Sequence, residues 1–130
     1  MNNVINTLNG FLNPTKYAMP CASGYSNFSS GSVYWKTPDN MVHLTAIITI
    51  GQTTNPNANL FNMPTGYRPA ATVVIPATTS YESNYMPQAA GINFNSDGTC
   101  RYYGPQLGTN NHLMINAEYP AAATSAQAED

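Results

Sequence analysis

A chain of 130 residues, 42% hydrophobic but only 8% charged, is long enough for one domain with a real core and too short for two. A formal net charge of −2 with no basic run leaves no electrostatic footprint for nucleic acid. Apolar runs such as Leu44 to Ile50 break off well short of a membrane span, and Met1-Asn2-Asn3-Val4-Ile5 lacks the basic and apolar segments of a signal peptide.

Residues 1–13 carry Val4, Ile5, Leu8, Phe11 and Leu12 at roughly helical spacing, stopped by Asn13-Pro14. This predicts an N-terminal arm or short helix. A stripe of Val4, Leu8 and Leu12 can pair with copies of itself or pack back on its own domain, and the spacing serves both. Lys16 to Ser32, rich in small and polar residues, reads as irregular strand and loop. Val33 to Lys36 starts a strand, Pro38-Asp39-Asn40 supplies a turn in which Asn40 tolerates a left-handed conformation, and Met41 to Ile50 returns as the longest strand. There Val42, Leu44, Ala46, Ile48 and Ile50 share the face expected to meet the core.

Gly51 to Asn59 is a polar loop leading into a corner, Leu60 to Pro69. In it Pro64 presets a turn, Gly66 suits its exit, and Pro69 forces Arg68 into extended backbone. Pro64, Gly66, Tyr67, Arg68 and Pro69 are read as scaffold, with Tyr67 and Arg68 largely buried at a subunit edge. Ala71 to Ile75, an unbroken β-branched run ended by Pro76, predicts a central strand buried on both faces. Thr78 to Gln88 reads as a polar loop holding Tyr81 and Tyr85, and Ala89 to Asn95 resumes alternation. Ser96-Asp97-Gly98 is a hairpin turn, with Thr99 to Tyr103 pairing back. After the loop from Gly104 to Asn111, Leu113, Ile115, Ala117 and Tyr119 alternate with His112, Met114, Asn116 and Glu118 as a final strand. The tail 121–130 has no large apolar residue and is expected to be disordered. Short strands, regular turn signals and no long amphipathic helix give an all-β fold. We expect an antiparallel β-sandwich of jelly-roll type spanning residues 14–120.

Chemistry is sparse in this chain. Asp39 and Asp97 sit in turns, Glu129 and Asp130 in the tail, and Glu118 on the last strand, leaving Glu82 as the one loop acid with an aromatic neighbour. His43 and His112 lie at no metal-ligand spacing, there is no Gly-x-Ser-x-Gly elbow and no phosphate-cradling glycine loop, so no catalytic residue, metal or cofactor is read. Cys21 and Cys100 are far apart in sequence and read as reduced, partly buried thiols. The notable feature is the aromatic content of loops and strand ends, drawn from nine tyrosines, one tryptophan and four phenylalanines. Such rings stack on a ligand face while a hydroxyl or indole N–H hydrogen-bonds, at modest entropic cost. Candidates for exposure are Tyr25, Phe28, Trp35, Tyr81, Tyr85, Tyr102 and Tyr103. The candidate ligand-binding set is Tyr81, Tyr85, Tyr102 and Trp35, with Glu82.

Tyr34-Trp35-Lys36, then Asp39-Asn40-Met41-Val42-His43-Leu44, Gly51 and finally Met63-Pro64-Thr65-Gly66-Tyr67-Arg68-Pro69 resemble the C-terminal head domains of bacteriophage tail-fibre and baseplate receptor-binding proteins. Leu8-Asn9-Gly10-Phe11 looks like the start of that family's domain. The resemblance spans Leu8 to Tyr119 and is specific from Tyr34 to Pro69. Met63 stands where Leu is usual, Asn40 where Gly is usual, and Trp35 at a commonly basic position. The resemblance implies a non-catalytic β-sandwich head at the tail tip of a virion. Such heads are usually homotrimers attached to an upstream fibre or baseplate protein, and they adsorb to bacterial surface carbohydrate. The motif belongs to the scaffold, so it transfers no binding residue. Two other readings fit the composition: a lectin-like module of a cellular protein, and a glycan depolymerase with carboxylates meeting between subunits.

Overall fold

The computed structural model describes residues 2–81 and 87–123. A helix, α1 (Asn2–Leu12), is followed by nine strands: β1 (Tyr17–Ala18), β2 (Tyr25–Asn27), β3 (Val33–Lys36), β4 (Met41–Ile50), β5 (Asn59–Asn62), β6 (Val73–Tyr81), β7 (Gln88–Phe94), β8 (Thr99–Tyr103) and β9 (Asn111–Pro120). All pairings are antiparallel, in the order β1-β3-β4-β9-β6-β7-β8-β5, with β2 lying against β4 beside β3. The expected all-β, sandwich-like architecture is present, built from one sheet that curls over its own core. Its two ends meet through residues 20–22: Ala22 N–H donates to Leu60 at 2.8 Å, Asn62 N–H donates to Pro20 at 3.1 Å, and Cys21 bridges Phe61. An edge strand is thereby paired rather than left open.

The β4 alternation decides the inside of the sheet. Val42, Leu44, Ala46, Ile48 and Ile50 are buried against Leu113, Ile115 and Tyr119 of β9 and Ile92 and Phe94 of β7. Each of the valine, leucine and isoleucine side chains contributes about 1.5–3 kcal/mol when fully removed from water. The Phe94 ring lies between those of Phe61 (6.5 Å) and Tyr119 (5.5 Å), joining β5 to β9 across the core. Both hairpin turns use the same device. Asn40 N–H returns to Thr37 at 2.9 Å and Gly98 N–H to Asn95 at 3.0 Å, and the residue closing each turn is left-handed, with φ 62° at Asn40 and 95° at Gly98. A side chain at Gly98 has no room, because its Cβ would fall 2.6 Å from the Met63 carbonyl oxygen.

Several expectations are corrected. The strand expected at Ala71–Ile75 does not stop at Pro76: β6 runs from Val73 to Tyr81, so Thr78–Tyr81, expected as the start of a loop, are strand, and 82–86 lie outside the described residues. Pro76 is tolerated because pairing with β9 starts at Ala77, leaving the proline a ladder partner on one side only. The strand is central, between β9 and β7, but it is not buried on both faces: Ile75 points inward and Val74 outward into solvent. Tyr67 and Arg68 are half-buried rather than largely buried. Ala121 and Ala122, assigned to the disordered tail 121–130, are bonded to the body. Their N–H groups donate to Asn40 at 2.9 Å and Arg68 at 2.7 Å, while 124–130 lie outside the described residues. The helix forms as expected, but its apolar positions Val4, Ile5, Leu8, Phe11 and Leu12 are exposed and do not pack back on the body. It reaches the β3–β4 turn at Gly10, where a Cβ would sit 2.7 Å from Pro38 Cγ.

Candidate functional site

The strand register places four residues in one row across the outer face. Tyr17 pairs with Tyr34, so Lys16 stands opposite Trp35, which pairs with His43, which pairs with Glu118. The side chains realise that row. Lys16 Nζ lies 4.5 Å from the Trp35 ring centre, and the Trp35 and His43 rings stack at 5.4 Å and 10°. His43 Nδ1 is 3.3 Å from Glu118 Oε2. A cation just before β1, an indole on β3, an imidazole on β4 and a carboxylate on β9 thus follow in order, each restricting the next.

His43 is held at both ring nitrogens. Its Nε2 lies 2.9 Å from Thr37 Oγ1, and the Thr37 hydroxyl commits its proton to the Asp39 carboxylate. The Thr37 oxygen therefore accepts from His43 Nε2–H, fixing the ring's orientation from the turn side. The Thr37 hydrogen bond also holds the Asp39 carboxyl below its ordinary range. Asp39, assigned above to a turn, performs that role and also anchors this network.

Beside the row, Trp35, His43 and Glu118 form one wall of a hollow of about 320 Å³, and Thr45, Asn116 and Ala117 complete its lining over the Leu44 backbone. Thr45 and Asn116 are paired neighbours one step along the same strands. Their side chains make no hydrogen bond among the described residues, so they present amide and hydroxyl groups to the hollow.

The candidate residues fare differently. Trp35 is half-buried at the centre of this row. Tyr102 is fully buried, its hydroxyl donating to Pro105 at 2.6 Å, so its ring offers nothing to a ligand. β8 alternation sets its inward direction, and the loop after Gly104 covers its tip. Tyr81 ends β6, but its side chain, together with Tyr85 and Glu82, lies outside the described residues. Tyr25 is also inside, hydrogen-bonded to Thr54 at 2.9 Å, whereas Phe28 and Tyr103 are exposed as expected. Sequence reasoning missed Lys16, His43, Thr45, Asn116 and Glu118 as neighbours of Trp35. The signal for His43 was present: a hairpin closed at Asn40 pairs positions 35 and 43 directly.

The corner performs structural work. Arg68 Nε donates to the Met63 carbonyl at 2.8 Å, and Tyr67 packs edge-on against Tyr34 at 5.0 Å, with Lys36 Nζ 5.0 Å from the Tyr67 ring centre. Lys36 itself donates to the Gly66 carbonyl at 2.9 Å.

No protein-family model and no curated protein matches the sequence. Among solved structures, the head domain of phage bIL170, described among the receptor-binding domains of lactococcal phages, aligns over 85% of this chain and 100% of its own length, with a TM-score of 0.60 and 12% identity. This protein has the fold of a phage receptor-binding head domain.

Proposed function

We propose that the protein is the non-catalytic receptor-binding head of a bacteriophage adhesion device, located at the tail tip and recognising carbohydrate on the host surface. The observation that carries this reading is the fold likeness, which takes in the whole of a phage receptor-binding head. Its low charge and the amide, hydroxyl and aromatic character of its outer face suit a neutral, hydroxyl-rich receptor.

The working form is a homotrimer on an upstream fibre or baseplate protein. An 11-residue helix is marginal alone, and α1 exposes Val4, Ile5, Leu8, Phe11 and Leu12. Three copies packed side by side bury those residues against each other. Labelled protein tested against a panel of bacterial strains, with static light scattering to give its mass, is expected to bind a subset of strains as a trimer. Binding should be lost when surface polysaccharide is stripped. Equal binding to stripped cells rejects a carbohydrate receptor, and a monomer at micromolar concentration rejects the trimer.

A further inference from the structure

We infer that the hollow beside the Trp35–His43–Glu118 row is a subsite for one neutral sugar unit, gripped through adjacent hydroxyls, and that it rejects anionic units. The inference rests on the reading of this domain as a carbohydrate-binding head, and adds where the sugar sits and which class of sugar is taken.

The groups around the hollow form a matched set. Glu118 is 67% exposed and has one carboxylate oxygen against His43, leaving a second to accept from a hydroxyl. Asn116 and Thr45 flank it with an amide that donates and accepts and a hydroxyl that does both. Trp35 supplies the apolar edge against which the C–H face of a sugar ring rests. Its orientation is set before any ligand arrives, by Lys16 on one side and the parallel His43 ring on the other. Such restriction lowers the ordering cost of binding. His43 is fixed by Thr37, and Thr37 by Asp39, so the support extends into the β3–β4 turn.

Charge decides the class of ligand. The carboxylate of Glu118 borders the hollow, and Lys16 is not among the lining groups. A phosphate or uronate placed there meets the Glu118 carboxylate; no lysine or arginine lines the hollow, and both ring nitrogens of the lining His43 are already engaged, by Glu118 and Thr37. A neutral ring with neighbouring hydroxyls can give one hydroxyl to the free Glu118 oxygen and the next to Asn116 or Thr45.

Trp35 is the single tryptophan of the chain, so intrinsic fluorescence reads this hollow directly. Full-length protein is titrated with glucose, galactose, rhamnose and N-acetylglucosamine, and in parallel with glucuronic acid and glycerol phosphate. A glycan array is run on the same preparation. We expect at least one neutral sugar to shift the Trp35 emission and the acidic probes to leave it unchanged. Glu118→Ala and Asn116→Ala, both at exposed positions, should each weaken binding, about tenfold for the loss of the Glu118 charge-assisted hydrogen bond and somewhat less for the neutral Asn116 amide. The distant Tyr103→Phe should leave it unchanged. Array binding without a Trp35 response, or without loss in the two variants, overturns the subsite and leaves the adhesion reading intact. A larger response to the acidic probes overturns the neutral class. Acrylamide quenching of Trp35 that rises when the protein is made monomeric overturns the proposal by placing this face between copies of the chain, and an array with no glycan bound removes the carbohydrate reading and the subsite together.

Discussion

The Tyr119 hydroxyl donates to the Tyr67 carbonyl at 2.6 Å, tying the last strand to the corner across 52 positions of sequence. Tyr119 is buried, and that burial drives its phenol well above the ordinary range, so the group stays protonated and remains a donor. Tyr119→Phe keeps the ring packed on Phe94 but leaves the carbonyl without this partner. We expect a loss of about 1–2 kcal/mol in chemical denaturation. An unchanged midpoint would mean that the corner is held without Tyr119, by Arg68, Lys36 and the packing of Tyr67 on Tyr34.

Arg68 and Gly98 form the other half of that attachment. Arg68→Ala removes the bond to the Met63 carbonyl and the packing of the guanidinium over Gly98, and should cost about 1–2 kcal/mol while leaving adsorption per folded molecule unchanged. Gly98→Ala is the harsher change, about 2–3 kcal/mol, since it combines a φ of 95° with a Cβ pressed on backbone. Lost adsorption at an unchanged melting temperature in Arg68→Ala would instead return the corner to the binding surface.

Acid should weaken the fold through its turns. The Thr37 hydroxyl holds Asp39, and the Thr99 hydroxyl holds Asp97, below the ordinary carboxyl value of 3.8. A depressed native pKa contributes stability above the unfolded value and loses it as pH falls through the native one. The melting temperature should therefore show no contribution to its slope from these groups above about pH 5 and decline below about pH 4. Asp39→Asn and Asp97→Asn should each flatten that decline. A melting temperature that rises on acidification contradicts the assignment.

Reduction should change nothing. Cys21 pairs with Phe61, and Phe61 pairs with Cys100, so the thiols are two strand positions apart. At two interstrand spacings the separation is about 10 Å, beyond the ~7 Å that a disulfide spans. Burial also raises the Cys100 thiol far above its usual range and lifts that of Cys21. Equal melting temperatures with and without dithiothreitol are expected, with Cys100 reacting with a thiol reagent only on unfolding.

Leu8→Asp tests the helix. A charge in the middle of the apolar stripe of α1 should lower the mass by light scattering from trimer to monomer and leave the β-sheet circular dichroism intact. A trimer that survives this change would have to be held by the body.

The sequence by itself determined the local grammar of this protein. Alternation from Met41 to Ile50 chose the inward face of β4, Asn40 and Gly98 closed the two hairpins, and the Val4–Leu12 spacing made a helix. These features depend on neighbours within a few residues, where periodicity and turn chemistry act directly. Tertiary structure decided what long-range pairing controls. β9 lies between β4 and β6, so the partner of His43 on that side, Glu118, comes from the far end of the chain. Residues 20–22 close the sheet onto β5, a pairing announced by no pattern in either segment. Tyr102 illustrates the limit: an aromatic ring near a strand end suits a ligand contact, yet strand parity turns it inward and Pro105 takes its hydroxyl. Trp35 shows the converse, since its place beside the hollow follows from a row of four side chains that become neighbours only when β3, β4, β9 and the segment entering β1 come into register.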